Sequence, residues 1–262
     1  MRRTPSLARR PLGNRPQISN PPHGQLSPGT LYARDQWLME TEIKVPAGAV
    51  DLTADVSLPE RAAGVVIFAH GSGSSRKSPR NRFVAGVLNG GAIATILIDL
   101  LTAEEEAVDM HTGELRFDIH LLVRRLIAVT DWVGGQPEFK SLGIGYFGAS
   151  TGAAAAFEAA AQRPEMLRAV VSRGGRPDLA GPVLGKVPAP SLFIVGGEDR
   201  LVLQMNRAAI AQLPRGTERR LEIIPGATHL FEEPGALDLV AALAQDWFQK
   251  YLKAGAARRE TI

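Results

Sequence analysis

The sequence predicts an α/β fold, a mostly parallel sheet with helices on both faces and antiparallel strands at its N-terminal edge. Three observations carry that expectation. Short continuous apolar runs, such as residues 64–70 and 191–195, have the composition of strands covered on both sides. Segments of helical period separate them, long enough for right-handed crossovers. Only the first two strands are joined by a tight turn, which makes that edge antiparallel.

Taken in order, residues 50–58 (VDLTADVSL) alternate apolar and polar, the period of a half-buried strand. Residues 38–45 form a weaker strand, its hairpin partner across Pro46-Ala47-Gly48. After the strand at 64–70, Ser78-Pro79 reads as a helix N-cap with proline at the first helical position. That helix runs to about Leu88 and stops at Asn89-Gly90-Gly91. Further strands are expected at 92–98, 142–147, 167–171, 191–195 and 220–224. Helices are expected at 115–133, 151–161, 204–213 and 237–252, and Glu104-Glu105-Glu106 reads as a solvated helix start. No internal repeat or second composition regime divides residues 35–262, which read as one domain.

The chain has 262 residues and a sequence pI near 9.4, which raises the question of a nucleic-acid partner. Its charge distribution argues against one. Arg2, Arg3, Arg9, Arg10, Arg15 and Arg34 lie in the first 34 positions, which hold no acid. The remainder holds 24 of the 30 basic residues against all 27 acids, so the body is slightly acidic. Residues 1–34, rich in Pro, Arg, Ser, Asn and Gly, are expected to be a disordered tail. They lack the apolar stretch of a secretory signal, and no run of about 18 apolar residues spans a membrane, so a cytoplasmic protein is expected. With no Cys there is no disulfide, thiolate metal site or cysteine nucleophile.

In open α/β sheets ligands bind at the carboxyl ends of the strands. After the strand at 142–147 comes Gly148-Ala149-Ser150-Thr151-Gly152, a G-x-S-x-G pattern leading into an Ala-rich helix. On such a strand-to-helix turn the serine hydroxyl stands clear, and side chains at the flanking glycines would collide with strand or helix. The overlapping G-x-G-x-x-G at 143–148 lies inside the apolar run, with no acid at the end of the next strand, so no dinucleotide cofactor is expected. A serine nucleophile needs a general base, usually a histidine oriented by a carboxylate. His23 is in the tail, His111 in a polar loop, His120 within a helix and His70 in a glycine-rich loop. His229, in the loop after the last strand, is the candidate base. Asp199, directly after the strand at 191–195, is the candidate acid and Glu198 the alternative. Oxyanion donors are expected from the amides of Thr151 and Ser72, with Gly73 the alternative to Ser72 in the loop His70-Gly71-Ser72-Gly73.

On HGSGSS (70–75), GYFGASTG (145–152), GGEDRLV (196–202) and PGATHLF (225–231) the chain resembles the α/β-hydrolase superfamily, and within it the dienelactone-hydrolase-like serine hydrolases. The resemblance covers about residues 38–252 and implies an α/β-hydrolase fold. Residues 74–81 and 99–109 look like a bacterial subgroup sometimes joined to a phosphoribosyltransferase domain, for which the tail has no room, so a stand-alone hydrolase is expected. Dienelactone hydrolases proper use a cysteine nucleophile. Ser150 in its place points to general esterase chemistry on a small ester, thioester or lactone. Residues 172–190 are too short for a substantial lid, which implies an open site. Arg173 at a strand end, and Arg76 with Lys77 and Arg80 after the oxyanion loop, are candidate anion-binding residues for a small-molecule substrate. No histidine pair or acidic cluster has metal-ligand spacing. Two rival readings keep the same fold: a non-catalytic binding protein, and an acyltransferase or perhydrolase using the same triad.

Overall fold

A computed structural model describes residues 40–253. The expected tail and the first two positions of the first expected strand lie outside the described residues. The described strands are β1 (Thr41–Ala47), β2 (Val50–Ser57), β3 (Gly64–Ala69), β4 (Ala94–Ile98), β5 (Gly143–Ala149), β6 (Leu167–Arg173), β7 (Ser191–Gly196) and β8 (Arg219–Ile224). The helices are α1 (Pro79–Gly90), α2 (Ala103–Thr112), α3 (Ile119–Gly135), α4 (Thr151–Gln162), α5 (Arg200–Gln212) and α6 (Ala236–Tyr251). The strands form one sheet in the order β1-β2-β4-β3-β5-β6-β7-β8. The β1–β2 and β2–β4 pairs are antiparallel and every pair from β3–β4 onward is parallel. This is the expected α/β-hydrolase architecture.

The continuous apolar runs are covered on both faces, as their composition requires. On one face Phe68, Phe147, Val171 and Ile194 form a core with Val84 and Leu88 of α1 and Val240, Ala244 and Phe248 of α6. On the other, the hydroxyl of Tyr146 meets that of Thr130 in α3 at 2.5 Å, and Phe157 of α4 stacks on Phe193 of β7 at 5.1 Å. Burial holds the Tyr146 phenol well above its ordinary pKa. The two layers leave the carboxyl ends of β3, β5, β6, β7 and β8 clustered on one edge, where five loops emerge.

Helix α5 starts at Arg200, four residues before the expected 204, and two other helical boundaries depart from the sequence pattern for identifiable reasons. The helix expected from residue 115 starts instead at Ile119, capped by the Asp118 carboxylate accepting from the Leu121 amide. The preceding three residues are held in a 3-10 turn because the buried Asp109 carboxylate accepts the amides of Leu115 and Arg116. Helix α2 was signalled only by its acidic start. Its N-terminus is a capping box of Thr102 with Glu105, and Gly113 ends it in the left-handed conformation. Between β6 and β7, Pro177–Lys186 forms short 3-10 turns kinked at Gly181, with Pro177, Ala180 and Leu184 buried beneath, rather than a helical lid.

Glu105 also receives both terminal nitrogens of the Arg125 guanidinium, whose side chain is buried, and these bonds hold the carboxyl below its ordinary pKa. A carboxylate depressed on folding contributes stability above its unfolded pKa, and that contribution is lost as pH falls through the folded value. Glu105→Gln should therefore lower the denaturation midpoint at neutral pH, and the gap to the parent should narrow on acidification. Urea titrations across acidic pH read this directly, and a gap independent of pH would refute the pair's role.

Candidate active site

The nucleophile candidate sits where the buried strand β5 ends and α4 begins. Ser150 adopts φ 50°, ψ −123°, a conformation L-residues rarely take. The glycines around it are demanded by their neighbours. A Cβ at Gly148 would lie 2.5 Å from the Ala153 Cα, and one at Gly152 2.2 Å from the Ala69 carbonyl oxygen. The overlapping glycine pattern has a packing origin instead: a Cβ at Gly145 would come within 2.8 Å of the Phe248 ring.

The candidate base and acid meet. Nδ1 of His229 lies 2.6 Å from Oδ2 of Asp199. Asp199 occupies the N-cap position of α5, but its side chain makes no capping bond there, so the carboxylate serves the imidazole. A carboxylate acceptor fixes the proton on Nδ1 and leaves Nε2 as the basic nitrogen. Glu198 is exposed, and its side chain makes no such bond. The histidine loop is braced by features the motifs did not reveal. Glu233 accepts from both the amide and the hydroxyl of Thr228, bonds that hold its carboxyl below the ordinary value. A Cβ at Gly196 would lie 2.4 Å from the Ala227 carbonyl oxygen, so the acid loop and histidine loop touch through backbone. Phe231, buried at φ 57°, anchors the far side.

Ser150 and His229 share a neighbour in the end of β6. The Arg173 carbonyl accepts from the Ser150 amide, and the position of a Cβ on Gly174 is 3.5 Å from the His229 Cε1. Neither the Ser150 hydroxyl nor Nε2 of His229 has a hydrogen-bond partner among the described residues. The acid–histidine bond is thus formed and the serine–histidine bond open, a common state of unliganded sites.

The oxyanion expectation needs one correction. The Ser72 amide is not a free donor, because it already donates to the Thr151 Oγ1 at 2.9 Å. That bond crosses from the loop after β3 to the first residue of α4. The alternative, Gly73, at φ 67°, has no partner for its amide among the described residues. His70 is a structural bridge: its Nε2 accepts from the Leu100 amide, so its Nδ1–H donates to the Gly71 carbonyl. Together with Thr151, the loop lines a cavity whose other wall is Leu101, then Glu106 and Asp109 of α2, and Arg116 in the turn after it.

The remaining candidates separate. Arg76 is bound by the carboxylates of Glu42, Asp55 and Asp99. Although burial opposes its charge, bonds to Glu42 and Asp99 raise its pKa above the ordinary value. It is the centre of a structural ion cluster that Lys77 and Arg82 join through Asp55, which accounts for it without a substrate. Arg173 is buried and has no carboxylate within ion-pair distance among the described residues. His111 bonds the Ala107 carbonyl, and the exposed His120 stands by Glu158 on the helical face. Among the described residues no group of three or more His, Asp or Glu side chains could hold a metal ion, and no helix is long and apolar enough to cross a membrane.

Est1E from Butyrivibrio proteoclasticus shares the fold at 16% identity and TM-score 0.66, over 80% of this chain and 98% of that one. A protein of Mycobacterium tuberculosis H37Rv, provisionally named a phosphoribosyl transferase, is 55% identical over 220 residues, which are 84% of this chain and 48% of the relative. The chain therefore spans about half the length of that curated relative. The crystal structure of a dienelactone hydrolase from Anabaena variabilis ATCC 29413 is 57% identical, with a TM-score of 0.80 over 82% of this chain and 99% of that one. The family model for dienelactone hydrolases matches residues 56–254, and this chain belongs to the dienelactone hydrolase family.

Proposed function

We propose that this chain is a serine hydrolase that cleaves a small carboxylic ester, thioester or lactone through an acyl-enzyme. The observation that carries the reading is the 2.6 Å bond from His229 Nδ1 to Asp199, in loops adjoining a serine at φ 50°. Ser150 Oγ attacks the substrate carbonyl while His229 Nε2 accepts its proton. Asp199 holds the imidazole tautomer and stabilises the imidazolium. The Thr151 amide, at the N-terminus of α4, donates to the developing oxyanion. The Thr151 hydroxyl accepts from Ser72, so its own proton is free to be a second donor. His229 then returns its proton to the leaving group, and water activated by the same nitrogen releases the acid. The Anabaena relative named a dienelactone hydrolase supports hydrolytic chemistry along nearly its whole length. The transferase name belongs to a relative about half of which lies outside the match, whereas the hydrolase family model covers residues 56–254 of this chain.

A fluorophosphonate probe tests the reading. Labelling at Ser150, mapped by peptide mass, is the expected result. An intact chain that remains unlabelled would overturn it in favour of a binding protein. Hydroxylamine or peroxide added during turnover then separates hydrolysis from acyl transfer by the products formed.

A further inference from the structure

One short segment holds the strained serine by both of its peptide groups. The Ser150 amide donates to the Arg173 carbonyl at 3.4 Å. The Ser150 carbonyl accepts from the Arg176 amide at 2.9 Å, besides the Ala153 amide of its own helix at 3.1 Å. The segment 173–176 runs close against α4, since a Cβ at Gly175 would lie 2.6 Å from the Ala153 Cβ. Among the described residues a single side chain bonds its backbone. Asn206 Nδ2 donates to the Gly175 carbonyl at 2.9 Å. That carbonyl and the Arg176 N–H belong to one planar peptide group, so fixing the oxygen aims the N–H. The bonds run in series, from the Asn206 amide through that peptide to the Ser150 carbonyl.

Asn206 is wholly buried in α5, about two turns beyond Asp199 at the N-cap position. Its other amide proton goes to the Val202 carbonyl at 2.8 Å, and its Oδ1 is buried without a partner. A buried amide with an unpaired oxygen costs stability relative to an apolar side chain of similar size, and asparagine is a weaker helix former than leucine. The position gains from asparagine what leucine lacks, a donor for the peptide that holds the serine.

We infer that Asn206 is a positioning residue for the nucleophile. Through the Gly175–Arg176 peptide it keeps Ser150 in its strained conformation, and from the helix that Asp199 begins it sets the serine and the acid–histidine pair in one frame. The inference rests on the serine-hydrolase reading. Without the Asn206 donor the buried Gly175 carbonyl turns toward another partner, and the Arg176 N–H leaves the Ser150 carbonyl with it. The hydroxyl then loses its aim while the substrate contacts stay in place.

The test compares the parent with Asn206→Leu, which keeps the volume and removes the donors. The control is Ala209→Gly, which weakens α5 at a buried position and leaves these bonds intact. In the first arm, the fluorophosphonate labelling rate at Ser150 and the kcat and KM for an aryl ester are measured well below the melting temperatures. Asn206→Leu should lower the labelling rate and kcat by about tenfold or more, with KM changed by no more than about twofold. Ala209→Gly should lower the Tm and leave kcat per labelled site unchanged. A leucine variant that loses Tm alone, or changes only KM, would overturn the inference, as would a control that loses kcat in step with Tm. In the second arm, hydrogen exchange at the Arg176 amide should quicken by about tenfold or more in Asn206→Leu and not in Ala209→Gly. Unchanged exchange overturns the inference. This arm needs no turnover. Failure of the serine-hydrolase reading shows in the parent, as an unlabelled Ser150, whereas failure of the positioning role shows only in the variant. If Asn206→Leu fails to fold, Asn206→Ala carries the same comparisons.

Discussion

Ser150→Ala is expected to lower kcat/KM for small esters by about 10³-fold or more while moving the melting temperature by only a few degrees. The two halves of that expectation have separate causes. The hydroxyl makes no hydrogen bond among the described residues and is part-exposed, so its removal opens no cavity and strands no partner. Alanine bears the same backbone penalty at φ 50° as serine does. The chemistry has no substitute: the Thr151 donors and the bound geometry remain, but no covalent intermediate forms. Steady-state kinetics on an aryl ester, with a thermal melt of the same preparation, gives both numbers. Retained turnover would remove Ser150 from the mechanism.

Gly152→Ala should destabilise the fold by about 3 kcal/mol or more, although alanine within a helix ordinarily gains on glycine. Its Cβ would stand 2.2 Å from the Ala69 carbonyl oxygen and 2.5 Å from that of His70. Both are backbone atoms at the end of a central strand and cannot rotate away. Relief requires α4 to shift from β3, which also moves Ser150. Gly90→Ala, near the end of α1, is the matched control, because a Cβ there has nothing within 4 Å. It should leave stability unchanged or raised. Urea denaturation of the two variants tests the pair, and equal midpoints would refute the steric account.

Most of the frame was legible because the inner strands are short apolar runs, β2 alternates with the period of a half-buried strand, and most helices are bounded by glycine, proline or capping residues. The elbow and the acid–histidine pair were legible because each lies immediately after its own strand. Helix α2 was not fully legible, since Asp109 is its one buried side chain and there is no apolar stripe to follow. Its capping box, Thr102 with Glu105, was the available signal. The fate of the Ser72 amide was beyond local pattern, because its acceptor is 79 positions away. Arg76 looked available for the same reason. Its partners Glu42, Asp55 and Asp99 come from β1, β2 and the end of β4, and only the folded sheet assembles them. Glu233 is the opposite case: five residues from Thr228, it was within reach of a local reading.

The backbone angle of Ser150 sets two forms of selection against each other. Glycine would occupy that turn without the roughly 1–3 kcal/mol that a side chain costs there. A library of variants sorted only for survival of heating would therefore enrich glycine at this codon and discard the hydroxyl. If Ser150 is the nucleophile proposed above, breeding this protein for robustness and breeding it for turnover part company at a single residue.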